Sequence, residues 1–337
     1  MTRLLENSRS LNYAKRPQMS FQYTRNQLMS AEPIVYLNGE FIPASQAKLS
    51  LTDWGLYGVA ATEMTRTFHQ RCFRLDDHLD RLNASLDRLG ICVELLRDEW
   101  REMTQSVVEH HADLIDPSGE LMVNHLVTAG PNPVLTPHAE PQPTVIVQTF
   151  PLRFSRWADK YRAGQHLIVP PIRQIPPECI DPRIKSRNRL HWYLADQTAR
   201  DTASDAMALL CDLDGHLTET SAGNFYIVRE NTIMTPRYEV TLGGISRKVV
   251  EDIAKYAGIR YESRDIPVSE ALAADEAFTS STSYCLLPVT RINGQKIGDG
   301  TTGPVYRRLL EAWSMMVGLD IEEQAVAQAA WESQQRQ

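Results

Sequence analysis

Hydrophobic and polar residues alternate in short runs from Val35 onward, and this pattern predicts a β-sheet interrupted by helices. In the segment VYLNGEFI, Asn38 and Gly39 separate two apolar runs, which is typical of a two-residue hairpin because both residues tolerate a positive φ. Leucines spaced three or four apart predict a helix over 77–89, whose polar side carries His78, Arg81, Ser85 and Arg88. Similar patterns predict a helix over 98–112 and strands over 121–129 and 144–150.

The sequence pattern in the second half of the chain predicts a second unit that contains both strands and helices. An apolar strand at HLIVPPI is followed by a meander whose turns fall at Asp214-Gly215 and Glu230-Asn231. Apolar residues at helical spacing then lead to Gly258, which favours a helix that ends at this glycine. Further helices are predicted over 269–274 and 304–317.

We therefore predict a two-domain protein of mixed α and β structure. A length of 337 residues fits two domains at about 150 residues each. The predicted boundaries are a small α/β domain over 33–155 and a larger domain over 156–320, with tails at 1–32 and 321–337. The first 32 residues are assigned to a tail because they show no sustained hydrophobic period.

Composition narrows the class of protein. A hydrophobic content of 42% excludes a largely disordered chain, and a net charge of −7 disfavours a nucleic-acid partner. The five cysteines are odd in number and never spaced as C-x-x-C, which favours free thiols and a cytoplasmic location. No apolar run reaches 18 residues, so we expect neither a membrane span nor a secretory signal.

Several common catalytic motifs are missing from the sequence. There is no G-x-G-x-x-G or G-x-x-x-x-G-K-[ST] nucleotide loop, and no G-x-S-x-G nucleophile elbow. The nine histidines include no H-E-x-x-H pair, so we expect no metal site.

The most unusual segment is RIKSRNR, in which Arg183, Lys185, Arg187 and Arg189 alternate after an apolar, proline-bounded strand. Neighbouring cations lower the proton affinity of a lysine, which leaves a neutral amine able to attack a carbonyl group. A solvated basic face is the simpler interpretation. The same arginines also allow a non-catalytic protein that binds a phosphate ligand or RNA.

Two further segments suggest a ligand site. In LTETSAGNF, Glu219 ends an apolar strand and is followed by small residues that let the backbone approach a ligand. In LGGISR, two glycines lead into a helix whose first amides, near Ile245 and Ser246, would attract an anion. An ordinary N-cap at Ser246 is the alternative. FTSSTS adds clustered hydroxyl groups at a strand end.

The order of these segments resembles the class IV aminotransferases, the pyridoxal-phosphate family that includes branched-chain aminotransferases, D-amino acid aminotransferases and aminodeoxychorismate lyase. The resemblance runs from about Val35 to about Leu319. It rests on LNGEFIPA, FRLDDHLDRL, I-K-S-x-N, T-E-T-S-A-G-N, LGGISR and SSTS. It implies fold type IV, with a small α/β sandwich domain and a larger pseudo-barrel domain.

The resemblance also implies a role for particular residues. Lys185 would form a Schiff base with pyridoxal 5′-phosphate and later move a proton, while Glu219 would keep the pyridine nitrogen protonated. The cofactor phosphate would be held by Arg81, Ile245, Ser246 and Thr282, and Asn224 would support the strand of Glu219. The reaction would pass an amino group from an amino acid to a 2-oxo acid, with ping-pong kinetics.

The substrate is less closely defined by the resemblance. Branched-chain enzymes usually have a tyrosine and an arginine where this chain has Met122 and Asn124, and the other subfamilies have an arginine in place of Ala129. Branched-chain specificity is the leading prediction, with D-amino acid or amine transamination and lyase chemistry as alternatives. The family also implies a homodimer with shared active-site loops. The candidate substrate residues are Tyr57, Thr62, Asn124, Arg189 and Ser283.

Overall fold

The computed structural model of the protein describes residues 32–335. The predicted N-terminal tail, except for Glu32, lies outside the described residues. Two β-sheets and eight α-helices fill the described range. This arrangement confirms the prediction of a mixed α and β fold.

The first sheet is antiparallel and six-stranded, in the order β2-β1-β6-β5-β3-β4. Its first two strands form the predicted hairpin, with Asn38 at φ 48° and Gly39 at φ 102°. Two helices cover one face of this sheet. One apolar core contains the leucines of the first helix, Trp100 and Val107 of the second helix, and Val123 of the sheet. The elements are β1 (Ile34–Leu37), β2 (Glu40–Pro43), β3 (Ala60–Phe68), β4 (Arg71–Cys72), α1 (Leu75–Leu89), α2 (Arg97–Ala112), β5 (Leu121–Thr128) and β6 (Thr144–Pro151).

The second sheet has nine strands, six of which close into a ring. The ring runs β10-β13-β14-β7-β8-β9, and β9 pairs back onto β10 through Glu219 and Asn224. Both predicted turns of the meander lie in this sheet. The strands are β7 (Gln165–Ile168), β8 (Ala206–Cys211), β9 (Leu217–Thr220), β10 (Asn224–Arg229), β11 (Thr232–Thr235), β12 (Arg260–Ser263), β13 (Glu276–Ser281), β14 (Cys285–Ile292) and β15 (Gln295–Lys296).

The remaining helices pack around the second sheet. They are α3 (Lys160–Ala163), α4 (Leu190–Thr202), α5 (Ile245–Tyr256), α6 (Val268–Leu272), α7 (Pro304–Val317) and α8 (Ile321–Gln334).

Helix α8 corrects the prediction of a tail over 321–337. Asp320 caps this helix by accepting a hydrogen bond from Glu323 N at 2.9 Å, and Ile321 and Ala325 are buried in the core that α7 also joins. None of the helices between residues 32 and 335 has the length and apolar content that crossing a bilayer requires.

Candidate active site

A cavity of about 660 Å³ is lined by residues of both sheets. Strands β3 and β5 contribute Thr62 and Met122, and the second sheet contributes Glu219 and Ser280. The sequence predictions converge here, because the cavity is lined by Arg81, Lys185, Glu219, Asn224, Ile245, Ser246 and Thr282. Residues that are up to 201 positions apart (282 − 81) therefore share one site.

Lys185 lies in an irregular segment rather than directly after a strand, which corrects the sequence interpretation. Its backbone is held from two sides. Thr62 N donates to the Lys185 carbonyl at 2.9 Å, and Lys185 N donates to Ser85 Oγ of α1 at 3.2 Å. A bridge between Ala61 and Ser186 extends the contact with β3. The lysine is thus fixed by the first sheet and aimed at a cavity shared with the second.

The side chain of Lys185 has an unusual electrostatic environment. It is half-buried, and within residues 32–335 its ammonium group has no hydrogen-bond or ion-pair partner. Burial, followed by the charge of Arg81, lowers the pKa of Lys185 to about 8. A substantial fraction of this amine is therefore neutral at mildly alkaline pH.

The basic cluster around Lys185 is only partly responsible for this shift. Arg189 contributes to the lowered pKa of Lys185, whereas Arg183 turns aside and forms a 2.7 Å ion pair with Asp181. Arg187 is exposed. The important cation, Arg81, comes from α1 and is distant in sequence. The prediction that neighbouring cations act on Lys185 is thus correct in principle but wrong about Arg183.

Glu219 occupies the point where β9 and β10 close the ring of strands. Its carboxylate is buried and accepts hydrogen bonds from Leu242 N at 3.1 Å and from Asn224 Nδ2 at 3.3 Å. Burial raises the pKa of Glu219 to about 7, against the lowering effect of the Leu242 amide and of the charge of Lys185. Asn224 also donates to the Leu242 carbonyl at 3.1 Å, which ties Glu219 to the loop before α5.

The N-terminus of α5 opens into the cavity through Gly244, Ile245 and Ser246. Gly244 is the N-cap and no side chain caps the helix, so the N-cap alternative for Ser246 is wrong. The first amides of a helix have no carbonyl partner within it, and the helix dipole adds positive potential there. This end of α5 is therefore suited to bind an anion.

Arg81 is held by a buried carboxylate that sequence reasoning did not assign to the site. Its Nε and Nη2 donate to the two oxygens of Glu63 at 2.7 and 2.8 Å, and Nη1 donates to the Gly243 carbonyl at 2.9 Å. His78 Nδ1 lies 2.8 Å from the same carboxylate. The charge and hydrogen bonds of Arg81, together with the contact from His78, hold the pKa of Glu63 far below its usual range despite burial. Burial lowers the pKa of His78 and so favours its neutral form. The signal in the sequence was the polar side of α1, which faces this carboxylate.

The candidate substrate residues divide into two groups. Thr62, Arg189 and Ser283 line the cavity. Asn124 is buried behind it and donates to Thr62 Oγ1 at 2.7 Å, while Tyr57 is 59% exposed and does not line the cavity of its own chain. The structure therefore places Tyr57 and Asn124 away from the cavity surface.

One wall of the cavity is apolar and was largely missed by the sequence analysis. It is formed by Met64, Met122, Phe150, Leu152 and Trp157. Only Met122 stood out in the sequence, because it differs from the residue usual in branched-chain enzymes. The others lie on strands or in the crossing between sheets, where apolar residues ordinarily pack in a core. Their position on this wall depends on how the two sheets meet.

Comparison with known proteins places the chain in a family. Residues 60–292 match the model of the family described as amino-transferase class IV, which is more than half of the chain. A Methanocaldococcus jannaschii protein named "Putative branched-chain-amino-acid aminotransferase" is 30% identical over 280 residues, covering 82% of this chain and 94% of its own. A D-alanine aminotransferase of Bacillus licheniformis is 29% identical over 281 residues, covering 82% and 95%.

A solved structure shows the same fold. A branched-chain amino acid aminotransferase from T.th., complexed with N-(5′-phosphopyridoxyl)-L-glutamate, superposes with a TM-score of 0.76 at 27% identity, covering 85% of this chain and 95% of the other. The chain belongs to the class IV aminotransferase family and has the fold of type IV, in which the closed ring of strands is the pseudo-barrel. The sequence resemblance is thereby confirmed.

Class IV aminotransferases use pyridoxal 5′-phosphate. The residues of the cavity fit this cofactor. Lys185 supplies an amine without a partner among the described residues, Glu219 a buried carboxylate, and the start of α5 a seat for a phosphate. Of the small residues that follow Glu219, Gly223 is required by packing, because a Cβ there would lie 2.2 Å from the Ser280 carbonyl oxygen.

Proposed function

We propose that this aminotransferase acts on amino acids with a branched-chain-like apolar side chain and passes the amino group to a 2-oxo acid. The observation that carries the proposal is the apolar wall formed by Met64, Met122 and their neighbours in the cavity that contains Lys185. An apolar side chain gains about 25 cal/mol for each Å² that it buries against such a wall. Alanine buries too little surface to exploit it, so the wall favours larger substrates than those of the D-alanine aminotransferase relatives.

The roles of the site residues follow from their surroundings. Pyridoxal phosphate supplies an aldehyde that an amine can attack and a ring that accepts electrons from the reacting carbon. Lys185 Nζ is poised to act as nucleophile and then as base, because its lowered pKa makes the neutral form available. Glu219 would hold a proton on the ring nitrogen through a charge-assisted hydrogen bond.

The phosphate of the cofactor would bind at the start of α5. The amides of Ile245 and Ser246 supply donors there, Thr282 supplies a hydroxyl group from the adjacent turn, and Arg81 lies on the same side through its bond to Gly243. Asn224 positions Glu219 and does not need to contact the cofactor.

We also propose that the protein is a cytoplasmic homodimer with a domain boundary at 155/156. Large apolar side chains are exposed at Leu51, Leu56, Tyr57 and Val134, and their loops are joined by a bridge from Asp53 to Pro131. Such an exposed cluster favours an interface between two chains. Loops shared across that interface would explain why Tyr57 does not line the cavity of its own chain.

The cofactor assignment is tested by colour and covalent trapping. We expect the purified protein to be yellow and borohydride to fix a pyridoxyl group on Lys185, as located by peptide mass spectrometry. Lys160 also lines the cavity, so Lys160→Ala is the matched control and should keep the attachment, whereas Lys185→Ala should lose it. A colourless protein that does not bind added cofactor would instead support the phosphate- or RNA-binding alternative.

Substrate choice is tested with a panel of L- and D-amino acids and several 2-oxo acids. We expect leucine, isoleucine and valine to be the best donors, and no pyruvate to be released from aminodeoxychorismate. Met64→Ala should raise kcat/KM for phenylalanine relative to valine, because it widens the apolar wall. Met315→Ala, at an exposed position of α7, is the control. A preference for D-alanine, or pyruvate release without an acceptor, would refute the branched-chain proposal.

A further inference from the structure

Helix α8 holds the chain segment between the two sheets through one buried carboxylate. Glu332 is 5% exposed and accepts hydrogen bonds from Phe154 N at 2.8 Å and Ser155 N at 3.3 Å. The hydroxyl group of Ser155 also donates to the same carboxylate. Three donors therefore converge on a side chain that lies 177 positions further along the chain.

The segment that Glu332 holds forms part of the active-site wall. Residues Phe154–Arg156 form a short 3-10 helix without a side-chain cap of its own, and its first amides are those bound by Glu332. Arg153, Arg156 and Trp157 line the same cavity as Lys185. Because the cap is supplied by α8, the placement of this wall depends on a helix outside the cavity.

A second contact of α8 reaches the turn that carries Ser283 through Arg66. Gln324 Oε1 accepts a hydrogen bond from Arg66 Nη2 at 3.2 Å, and Arg66 Nη1 donates to the Ser283 carbonyl at 3.0 Å. Arg66 is 2% exposed and forms no ion pair with any residue of the described range 32–335. Its charge is satisfied by neutral acceptors, so loss of Gln324 would disturb the turn that carries Ser283.

We propose that α8 is a positioning element of the active site, with Glu332 as the principal positioning residue and Gln324 acting through Arg66. This inference rests on the proposed function, since the segment that Glu332 orders carries Trp157 of the proposed substrate wall. Neither residue lines the cavity. Loss of Glu332 therefore weakens substrate binding and leaves the cofactor site and the proton transfers at Lys185 unchanged.

The test compares Glu332→Ala with Glu323→Ala on the holoenzyme. Glu323 lies on the same helix, is exposed, and has no side-chain bond within the described residues. We expect Glu332→Ala to raise KM for the amino donor about tenfold and to change kcat and the cofactor spectrum little, since hydrogen bonds to a charged group are lost. Glu332→Gln should recover much of the affinity, because its amide oxygen still accepts the backbone amides.

Hydrogen exchange provides a readout that needs no turnover. The amides of Phe154 and Ser155 should exchange at least about tenfold faster in Glu332→Ala than in the Glu323→Ala control, because their acceptor is gone. Unchanged exchange there, or a loss of kcat with unchanged KM, would overturn the proposal. If turnover is absent in the wild type, the proposed function fails while the exchange result still decides whether α8 holds the segment. If Glu332→Ala does not fold, Ser155→Ala removes one donor from an exposed residue and should give the same changes at smaller size.

Discussion

Glu63 and Arg81 form a bidentate ion pair, and the carboxylate of Glu63 has no solvent exposure. The pair joins β3 of the first sheet to α1 and leaves one guanidinium nitrogen bonded to Gly243 in front of α5. The same Arg81 charge helps to lower the pKa of Lys185. One buried carboxylate therefore orients a cation that contacts both halves of the site.

Removal of Glu63 should be strongly destabilising. Glu63→Gln leaves the largely buried Arg81 guanidinium without a counter-charge, and we expect the free energy of unfolding to fall by about 3 kcal/mol in urea titrations. Glu102→Gln, at an exposed position of α2, should change it by less than about 0.5 kcal/mol. The double variant Glu63→Met/Arg81→Met should recover part of the loss. Equal stability of Glu63→Gln and wild type would show that the pair does not hold the fold.

The two glycines before α5 should respond differently to alanine. A Cβ on Gly244 would lie 2.0 Å from Asn224 Oδ1, whereas a Cβ on Gly243 meets no atom within 4 Å. Gly244→Ala must displace Asn224, which supports Glu219, so we expect cofactor affinity to fall about tenfold or more by equilibrium titration. Gly243→Ala should bind nearly as the wild type does. Equal losses in both variants would contradict this account of the loop.

Reactivity of Lys185 should depend on pH with a midpoint near 8. In cofactor-free protein, competitive acetylation of Lys185, followed by mass spectrometry, should rise with pH and level off above that midpoint, because only the neutral amine reacts. Arg81→Gln removes a positive charge and leaves the negative Glu63 unbalanced. Both changes favour the ammonium form, so the midpoint should move to higher pH. Arg88→Gln, on the same helix, should leave it unchanged, and an unmoved midpoint in Arg81→Gln would exclude this electrostatic coupling.

In the cofactor-free protein, the buried carboxyl group of Glu219 should lower the free energy of unfolding at neutral pH. Its folded pKa of about 7 lies above the usual value of 4.5, so the folded state binds the extra proton between these two values. The stability linked to this proton is therefore fully present below pH 4.5 and is lost as the pH rises toward and through 7. Glu219→Gln should gain up to about 3 kcal/mol relative to wild type between pH 4.5 and pH 8, measured by denaturant titration.

Glu219→Gln should also abolish transamination. A neutral glutamine cannot hold a proton on the ring nitrogen of the cofactor as the glutamate anion does. Thr220→Ser, which keeps the hydroxyl group next to Glu219, is a conservative control for the pH profile. A stability difference between Glu219→Gln and wild type that does not vary with pH would mean that the carboxyl titrates normally in the folded state.

Local features of the fold were predictable from the sequence because neighbouring residues decide them. The Asn38-Gly39 turn follows from the ease of positive φ at those residues, and the two faces of α1 follow from its leucine spacing. Helix α8 was missed although Asp320 and the pair Ile321 and Ala325 carried a helical signal. The family resemblance ended before that segment, which led to the prediction of a tail.

Sequence by itself determined which residues are candidates for the chemistry, since the segments that carry Lys185, Glu219 and the glycines before α5 occur in the order typical of the family. Tertiary structure alone decided how they act. The pairing of Glu63 with Arg81, the pKa of Lys185 and the closure of β9 on β10 each depend on groups that meet only after folding. Burial and charge act through space, so their effects on these residues were fixed when the two sheets came together.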